Sequence, residues 1–358
     1  MTVVAVWSDE ALAHDPGGEV WIGLPIEGDE TSDRALAMLR AIEAAGVDVV
    51  APQAHPDSAI TAVHDPGMLD YLATAHDRWV EAGYPGHHGQ HHVVAYAFRH
   101  PGAFDHVPRR HPRSRAAMAG VYCFDTCTTI GPGTYRGIRY AADAALTAAD
   151  LMLEGKTAYA AVRPPGHHAG TDYFGGSCYL NNTAIAAHYV AEATRARVGI
   201  IDIDAHHGNG TQEIFYGRGD VLYASVHIDP AQGWFPHWSG FADETGSGPG
   251  AGLNHNLVLA PGDGDDEYVA AVERAAEAVV GADCEVLVVS LGVDSSAEDE
   301  NSPLEVTSEG FLRAADLLTA LGVPMVLMQE GGYNLEALER DLTTILSRLS
   351  VERAVDER

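Results

Sequence analysis

The stretch "VGIIDIDAHHGNG", residues 198–210, begins as a buried strand and ends as a loop rich in potential metal ligands. Its first residues form a continuous apolar run, which is typical of a parallel strand covered on both faces. Asp202, Asp204 and His206 follow at intervals of two, so their side chains project to one side of an extended chain. In an open parallel sheet, ligands bind beyond the carboxyl ends of the strands, where these residues lie. The stretch therefore predicts an α/β fold with a site at this edge.

Apolar runs of the same kind recur along the chain, and helical patterns separate them. The runs are "VVAVW" (3–7), "AYAAVR" (158–163), "VLYASVH" (221–227), "VLVVSLGVD" (286–294) and "VPMVLMQEGG" (323–332). Helices are predicted for "SDRALAMLRAIEAAG" (32–46), with Ser32 as N-cap and Gly46 as the stop, and for residues 181–195, 265–280 and 307–321. This alternation predicts a mostly parallel central sheet with helices on both faces. A large α/β fold with insertions reaches this length as one unit, so we predict a single domain over residues 1–358.

The composition is that of a folded and strongly acidic protein. Of its 358 residues, 21 are Lys or Arg and 51 are Asp or Glu, which gives a formal net charge of −30. A field of that sign repels phosphate backbones and attracts cations, so nucleic acid is an unfavourable partner and a cationic small molecule a favourable one. Solubility or a salty environment would explain the charge equally well. We expect a cytoplasmic protein with no membrane partner, because no apolar window of about 18 residues exists and the amino terminus resembles a strand rather than a signal peptide.

Residues 84–120 interrupt the alternating pattern. They are rich in His, Pro, Gly and Arg and lack periodicity, so we predict an irregular insertion there. Four histidines in it are candidates for a metal site: His87, His88, His91 and His92. An exposed loop is the favoured interpretation, because no acid or cysteine with ligand spacing accompanies them.

The four cysteines do not form a pattern of paired ligands or disulfides. Cys178 and Cys284 lie in apolar surroundings and are predicted to be core thiols. Cys123 and Cys127 could approach each other, but a metal site made of two cysteines is a weak hypothesis.

The stretch "RPPGHHAG", residues 163–170, places two adjacent histidines in a rigid Pro-Pro-Gly turn. Neighbouring imidazoles are difficult to bury, because each ring has two nitrogens that need partners. His167 and His168 are therefore candidates for chemistry. Two other strands end in residues of the same kind, with Asp294 in "LGVD" and Tyr333 in "EGGY".

Five motifs in this order, over residues 119–345, resemble the zinc-dependent histone deacetylase superfamily. They are "RPPGHHAG", "GGSCYLNNTAIAA", "DIDAHHGNGTQEIFY", "LGVD" and "EGGY". The chain is most similar to the bacterial acetylpolyamine amidohydrolases, through "PAQGWFPHWSGFADETGSGPGAG" and the insertion before "VYCFDT". The resemblance implies an arginase/deacetylase-like fold with its metal site at the carboxyl ends of the strands.

The resemblance also implies a role for each candidate. One zinc ion per chain would be bound by Asp204, His206 and Asp294, which leaves a position open for catalysis. His168 would transfer the proton and His167 would give electrostatic support, with Asp202 orienting His167 and Asn209 orienting His168. Tyr333 would donate to the oxyanion. A potassium ion would be bound by Asp202 and Ser225.

The substrate implied by the resemblance is a small acylated amine such as an acetylpolyamine, with a protein acyl-lysine as the alternative. Phe235, Gly176, Ser177 and Asp125 would line the tunnel, and Ser177 stands where relatives carry an aromatic residue, so a wider tunnel is expected. Glu298 and Glu300 would hold a distal ammonium at the rim, whereas the basic stretch "RRHPRSRAAMAG" (109–120) argues in the opposite direction. A homodimer built by the insertion is also implied.

Two other classes of protein remain as alternatives. A two-manganese, arginase-like hydrolase would suit "DAH" at 204–206, but Gly208 and Gly292 stand where that family needs further carboxylates. A catalytically silent binding module on the same fold is the second alternative. It is disfavoured because the chain keeps three metal ligands, both histidines and the tyrosine.

Overall fold

The computed structural model describes residues 3–98 and 110–351, which form an α/β fold around one large sheet. The strands are β1 (Val3–Val6), β2 (Glu19–Trp21), β3 (Leu24–Ile26), β4 (Asp48–Val50), β5 (Thr157–Ala160), β6 (Val198–Asp202), β7 (Val221–Ile228), β8 (Asn254–Leu259), β9 (Val286–Leu291) and β10 (Met325–Gln329). Eight of them pair in the order β4-β1-β5-β10-β9-β6-β7-β8, and every pairing is parallel. β2 and β3 form a separate antiparallel hairpin. The predicted fold class is confirmed.

Helices cover both faces of the sheet. Those described are Ser32–Ala44, Asp57–Thr61, Pro66–Glu81, Tyr84–His88, Arg115–Tyr122, Thr134–Leu153, Asn182–Thr194, Asn209–Phe215, Asp265–Gly281, Ser308–Ala320 and Leu335–Val351. The connection from β5 to β6 crosses the sheet in one direction and that from β9 to β10 in the other. Because crossovers between parallel strands are right-handed almost without exception, helices on these two connections are expected on opposite faces. The core between the layers consists mainly of the buried Val, Ile, Leu and Ala residues of the strands.

The apolar runs located six of the eight sheet strands and the alternation located four long helices. The first of these helices begins one residue earlier than expected, since Thr31 is the N-cap and Ser32 is already helical. Gly46 adopts φ 66° just beyond its end, in the left-handed region that favours glycine. The edge strands β4 and β8 were missed. All three residues of β4 are exposed and β8 is only partly buried, so neither has the continuous apolar run of an interior strand.

The predicted insertion at 84–120 contains two short helices, Tyr84–His88 and Arg115–Tyr122. Residues 99–109 lie outside the described part of the chain, so the insertion as a whole stays a prediction. Among the residues described, His87, His91 and His92 belong to none of the groups whose ligand atoms converge. No helix in the described ranges is both long and apolar enough to cross a lipid bilayer.

Candidate active site

The three predicted metal ligands come together beyond the carboxyl ends of β6 and β9. These strands are neighbours, with Asp202 paired to Ser290, so the segments that follow them run side by side. Ligand atoms of Asp204, His206 and Asp294 all lie within 4.8 Å of one another. The Nδ1 atom of His206 is 2.9 Å from Oδ2 of Asp294 and 3.3 Å from Oδ1 of Asp204.

The surrounding backbone fixes both carboxylates. Ala205 N donates to Oδ1 of Asp294 at 2.8 Å, and Gly331 N donates to Oδ2 of Asp204 at 2.7 Å. Burial and the Asp204 charge raise the pKa of Asp294 to about 7. Two buried carboxylates this close repel each other unless a cation lies between them, and one imidazole with two carboxylate oxygens is a donor set that zinc accepts. These residues therefore fit a zinc ion.

Gly292 and Gly208 lie so close to the buried aspartates that neither position has space for a side chain. A Cβ atom at Gly292 would collide with Asp204, and one at Gly208 would collide with Asp202 and with the hydroxyl of Tyr223. Further carboxylates at these two positions would require the backbone to move. The arrangement thus favours one metal over the arginase-like pair.

The adjacent histidines face this group and are held by different partners. Their ring centroids are 4.1 Å apart. Nδ1 of His167 is 3.1 Å from Oδ2 of Asp202, and Nδ1 of His168 is 2.7 Å from Oδ1 of Asn209. These are the two orienting contacts expected from the sequence.

The surroundings of the two histidines shift their pKa values in opposite directions. Burial lowers the pKa of His167, but the carboxylates of Asp204 and Asp202 outweigh it and raise that pKa to about 10. Burial, together with the charges of His167 and His206, holds the pKa of His168 well below its ordinary value. One ring is thus suited to carry a charge and the other to accept a proton.

Tyr333 follows the Gly-Gly turn after β10 and lines the same cavity as His168 and His206. The guanidinium carbon of Arg34 lies 4.7 Å from the centroid of its ring. Arg34 also donates to the carbonyl oxygen of Gly332 at 2.6 Å and to that of Glu330 at 2.5 Å. The helix Ser32–Ala44 thereby contacts the turn that presents the tyrosine.

A cavity of roughly 350 Å³ opens onto these groups. Phe235, Gly176 and Ser177 line it, as expected. The ring of Phe235 packs edge-on against His168 at 4.8 Å and lies nearly parallel to that of Phe124 at 6.0 Å. Ser177 adds only a hydroxymethyl group to the lining.

The model for the histone deacetylase domain matches residues 29–349, which include every group described above. The chain belongs to the histone deacetylase family. An acetylpolyamine amidohydrolase of Mycoplana ramosa is 37% identical over 343 residues, which cover 95% of this chain and 98% of the relative. Acetylpolyamine amidohydrolase 1 of Pseudomonas aeruginosa is 39% identical over 96% of this chain and 98% of its own length.

A solved structure of a similar protein has the same fold as this chain. The crystal structure of an acetylpolyamine aminohydrolase from Burkholderia pseudomallei superposes with a TM-score of 0.90 at 36% identity, covering 98% of this chain and 99% of that chain. The predicted enzyme class is confirmed: the chain is a deacetylase-type hydrolase. Zinc is the cofactor that the histone deacetylase family implies.

Four carboxylates line the cavity of this deacetylase: Glu19, Asp29, Asp125 and Glu300. We call them the carboxylate wall. Glu300 was expected there, and Asp125 was expected to line the tunnel. Asp125 also accepts from the backbone nitrogens of Gly176, Cys127 and Thr128, so it shapes the turn that carries Ser177.

Glu298 does not line the cavity, although it was predicted to contact the substrate. Its carboxylate pairs with Arg340 on the surface, and its carbonyl oxygen accepts from Nδ2 of Asn334 at 2.8 Å. Two residues along the loop, Glu300 faces the cavity. In an extended chain the two side chains would share one side, but the loop turns here, where Asp299 N donates to the carbonyl oxygen of Ser296 at 2.9 Å, so they point in different directions.

Sequence reasoning missed Glu19 and Asp29. Glu19 lies on β2 of the short hairpin and Asp29 in the loop before the first long helix, and neither belongs to a recognisable motif. Burial and the charges of Asp29 and Asp125 raise the pKa of Glu19 to about 7. The shift reflects how close the fold brings these carboxylates to one another, and no local sequence pattern predicts that proximity.

The basic stretch 109–120 does not oppose the carboxylate wall in the part that the structure describes. Arg110 and Arg113 are absent from the lining of the cavity, and Arg109 lies outside the described residues. No lysine or arginine of the described ranges lines the cavity.

The candidate potassium ligands and the four cysteines remain to be placed in the fold. Asp202 and Ser225 are paired across β6 and β7, where the Ser225 hydroxyl lies 2.8 Å from Nδ1 of His227. All four cysteines are free, and Cys178 and Cys284 are buried, as predicted for core thiols. Cys123 is buried too, whereas Cys127 lines the cavity.

A second group of potential ligands, His167, Cys178 and Glu330, lies within 4.8 Å behind the turn. Its carboxylate already has four donors. Oε2 of Glu330 accepts from the backbone nitrogens of Gly166 and His167 at 2.7 and 3.1 Å, and Oε1 accepts from the hydroxyls of Thr183 and Ser290 at 3.0 and 3.3 Å. These hydrogen bonds satisfy the buried carboxyl group and tie it to the backbone of the histidine turn, so it has a structural role there.

Proposed function

We propose that this deacetylase removes the acetyl group from a small acetylated amine that carries a second positive charge, such as an acetylated polyamine. The single observation that carries the proposal is the carboxylate wall, which lines the same cavity as His168, His206 and Tyr333. Four acidic groups in one cleft favour a cation more than the same groups on open surface, because low-dielectric walls focus their field. The names of the relatives support the same substrate class.

The proposed metal is one zinc ion held by Asp204, His206 and Asp294. When bound, it would polarise the amide carbonyl and lower the pKa of the attacking water. The remaining chemistry belongs to the side chains of this chain, which must move one proton and stabilise one oxyanion.

His168 is the proposed proton carrier. With its Nδ1 hydrogen donated to Asn209, its Nε2 atom accepts the proton of the attacking water and later gives it to the departing amine. Asn209 carries no charge, so its hydrogen bond orients the ring and favours the charged form less than burial and the charges of His167 and His206 oppose it, and the pKa of His168 stays low. His167, paired with Asp202, supplies positive charge beside the reacting carbonyl.

Tyr333 is the proposed oxyanion donor. Burial raises the pKa of Tyr333 well above its ordinary value, so the hydroxyl keeps its proton and can donate it in a hydrogen bond. Tyr333 and His168 both line the cavity, so one bound amide can meet both.

The proposal includes a potassium ion at Asp202 and Ser225 and a homodimer. The potassium site is proposed from the resemblance to the family; Asp202 and Ser225 are neighbours across β6 and β7, and activity should depend on potassium concentration. The homodimer is supported by apolar side chains exposed on the β2–β3 hairpin, where Trp21, Ile22 and Leu24 are 48%, 85% and 67% exposed. Light scattering of the purified chain tests it.

The experiment that tests the substrate compares acetylputrescine, uncharged N-butylacetamide and an acetyl-lysine peptide with zinc supplied. We expect kcat/KM for acetylputrescine to exceed that for the uncharged amide by roughly 10- to 100-fold, the equivalent of a charge-assisted hydrogen bond of about 1.5–3 kcal/mol. Glu19→Gln and Glu300→Gln should each reduce this preference. Glu298→Gln, two residues before Glu300 and paired with Arg340 outside the cavity, is the matched control.

Two outcomes would count against this proposal. Equal kcat/KM for the charged and uncharged amides would remove the role of the carboxylate wall. A faster reaction with the acetyl-lysine peptide than with acetylputrescine would favour a protein deacetylase.

A further inference from the structure

Asp299 lies in the loop after Asp294 and is 4% exposed. Its two carboxylate oxygens accept from two different segments. Oδ2 accepts from the backbone nitrogens of Tyr333 and Asn334 at 2.6 and 3.0 Å, whereas Oδ1 accepts from that of Asn301 at 3.0 Å. A buried carboxylate is costly unless it is fully hydrogen-bonded, so these contacts hold its position firmly.

The tyrosine that Asp299 contacts follows a turn with little intrinsic rigidity. Gly332, immediately before it, adopts φ 127°, a region open essentially to glycine. Arg34 holds the carbonyl oxygen of Gly332 on the upstream side. On the downstream side, the N–H of Tyr333 itself is held by Asp299.

The same loop reaches the cavity lining. Asn301 accepts from Nε1 of Trp234 at 3.2 Å through its carbonyl oxygen, and its Nδ2 donates to Oδ2 of Asp29 at 3.2 Å. Trp234 and Asp29 both line the cavity. Asp299 thus connects the backbone of Tyr333 to the walls between which the substrate would lie.

We propose that Asp299 is a positioning residue that fixes Tyr333, so that its hydroxyl meets the carbonyl oxygen of the bound substrate. The inference rests on the role of Tyr333 in the proposed function and not on the identity of the amine. A misplacement of about 1 Å is enough to lose much of the benefit of an oriented donor. Asp299 itself touches neither substrate nor metal in this assignment.

The test is a double-mutant cycle with Asp299→Ala, Tyr333→Phe and both together, measured as kcat and KM on an acetyl-lysine amide. We expect Asp299→Ala to lower kcat about 10- to 100-fold with little change in KM, somewhat less than the roughly 10²–10³-fold cost of losing an oxyanion donor. In the Tyr333→Phe background, Asp299→Ala should cost nothing further, since the hydroxyl that it positions is gone. An equal loss in both backgrounds would overturn the proposal.

The control is Asn334→Ala, which separates the position of Tyr333 from the stability of the following helix. Oδ1 of Asn334 caps Leu335–Val351 by accepting from Ala337 N at 3.0 Å, and its Nδ2 donates to the same loop, but its side chain does not contact Tyr333 N. It should lower the melting temperature while leaving kcat near that of the parent. A fall in kcat equal to that of Asp299→Ala would mean that helix stability alone explains the effect.

Two further measurements keep the result decisive. If Asp299→Ala does not fold, Asp299→Asn keeps one carbonyl oxygen and should show a smaller loss with the same dependence on Tyr333. The same cycle measured as the affinity for acetohydroxamate requires no turnover, so failure of the proposed substrate is distinguishable from failure of this assignment. Metal content should be equal in all variants, and loss of metal with Asp299→Ala would contradict the positioning role.

Discussion

His167 and His168 are adjacent and chemically identical, but their surroundings shift their pKa values in opposite directions. Their rings touch, but one Nδ1 faces a carboxylate and the other an amide oxygen. We expect His168→Ala to lower kcat about 10²- to 10⁴-fold, the usual contribution of general acid–base catalysis, and His167→Ala to cost less. Steady-state rates on acetylputrescine measure both. Equal, modest losses would show that the proton is carried elsewhere.

The residues that sequence alone could locate are those that share a short segment with a partner. Asp204 and His206 are two apart, and Asp294 and Tyr333 end recognisable strands, so local spacing predicted their place. Glu19 and Asp29 reach the site from segments distant in the sequence. The chain has 51 Asp and Glu residues, and nothing in the sequence around these two distinguishes them from the others. The sequence pattern therefore could not predict their place in the cavity.

Among the elements, the helix Ser32–Ala44 and the end of β5 are joined by a buried ion network. Glu30 pairs with Arg34 and lies 2.9 Å from Nε of Arg163, and all three are buried. Arg34 reaches on to the turn before Tyr333, while Arg163 precedes the histidine turn. The network therefore contacts both the turn that precedes Tyr333 and the segment that leads into the histidine turn.

Removing the shared carboxylate should destabilise the protein strongly. We expect Glu30→Gln to lower the free energy of unfolding by about 3–5 kcal/mol, because it leaves two guanidinium groups buried without a counter-charge. Burial raises the pKa of Glu30, but Arg163 and Arg34 outweigh it and lower that pKa. Its contribution is thus present above the ordinary carboxyl pKa and lost as the pH falls through the lowered value.

Urea denaturation of Glu30→Gln measures this loss, and an exposed pair that joins the helix Ser32–Ala44 to the helix Leu335–Val351 provides the control. Arg40 and Glu339 are 2.6 Å apart with side chains 50% and 38% exposed, so Glu339→Gln should cost no more than about 1 kcal/mol. Similar costs for the two variants would show that the network contributes no more than a surface pair.

The existence of the helices was predictable from periodicity. This network was not, because it joins segments more than 100 residues apart.

At the scale of the whole molecule, the net charge of −30 acts together with the carboxylate wall. The overall sign was evident from the composition, but only the fold shows that four of the acids converge on the cavity. Charges outside the cavity act over a distance that salt shortens, to about 8 Å at physiological ionic strength. The overall charge should therefore concentrate cationic substrates near the protein, while the carboxylate wall selects among them.

If the overall charge attracts cations and the carboxylate wall selects among them, KM should depend on salt differently for charged and uncharged substrates. Raising the ionic strength should increase KM for acetylputrescine, because screening weakens the attraction of the acidic surface for a cation. KM for uncharged N-butylacetamide should stay nearly constant, which controls for direct effects of salt on the fold or the metal. In Glu19→Gln the salt dependence should persist although the preference at any one salt concentration falls, since the variant changes the cavity and leaves most of the surface charge in place. Parallel changes in KM for the two amides would show that the charge of the molecule serves solubility and does not guide the substrate.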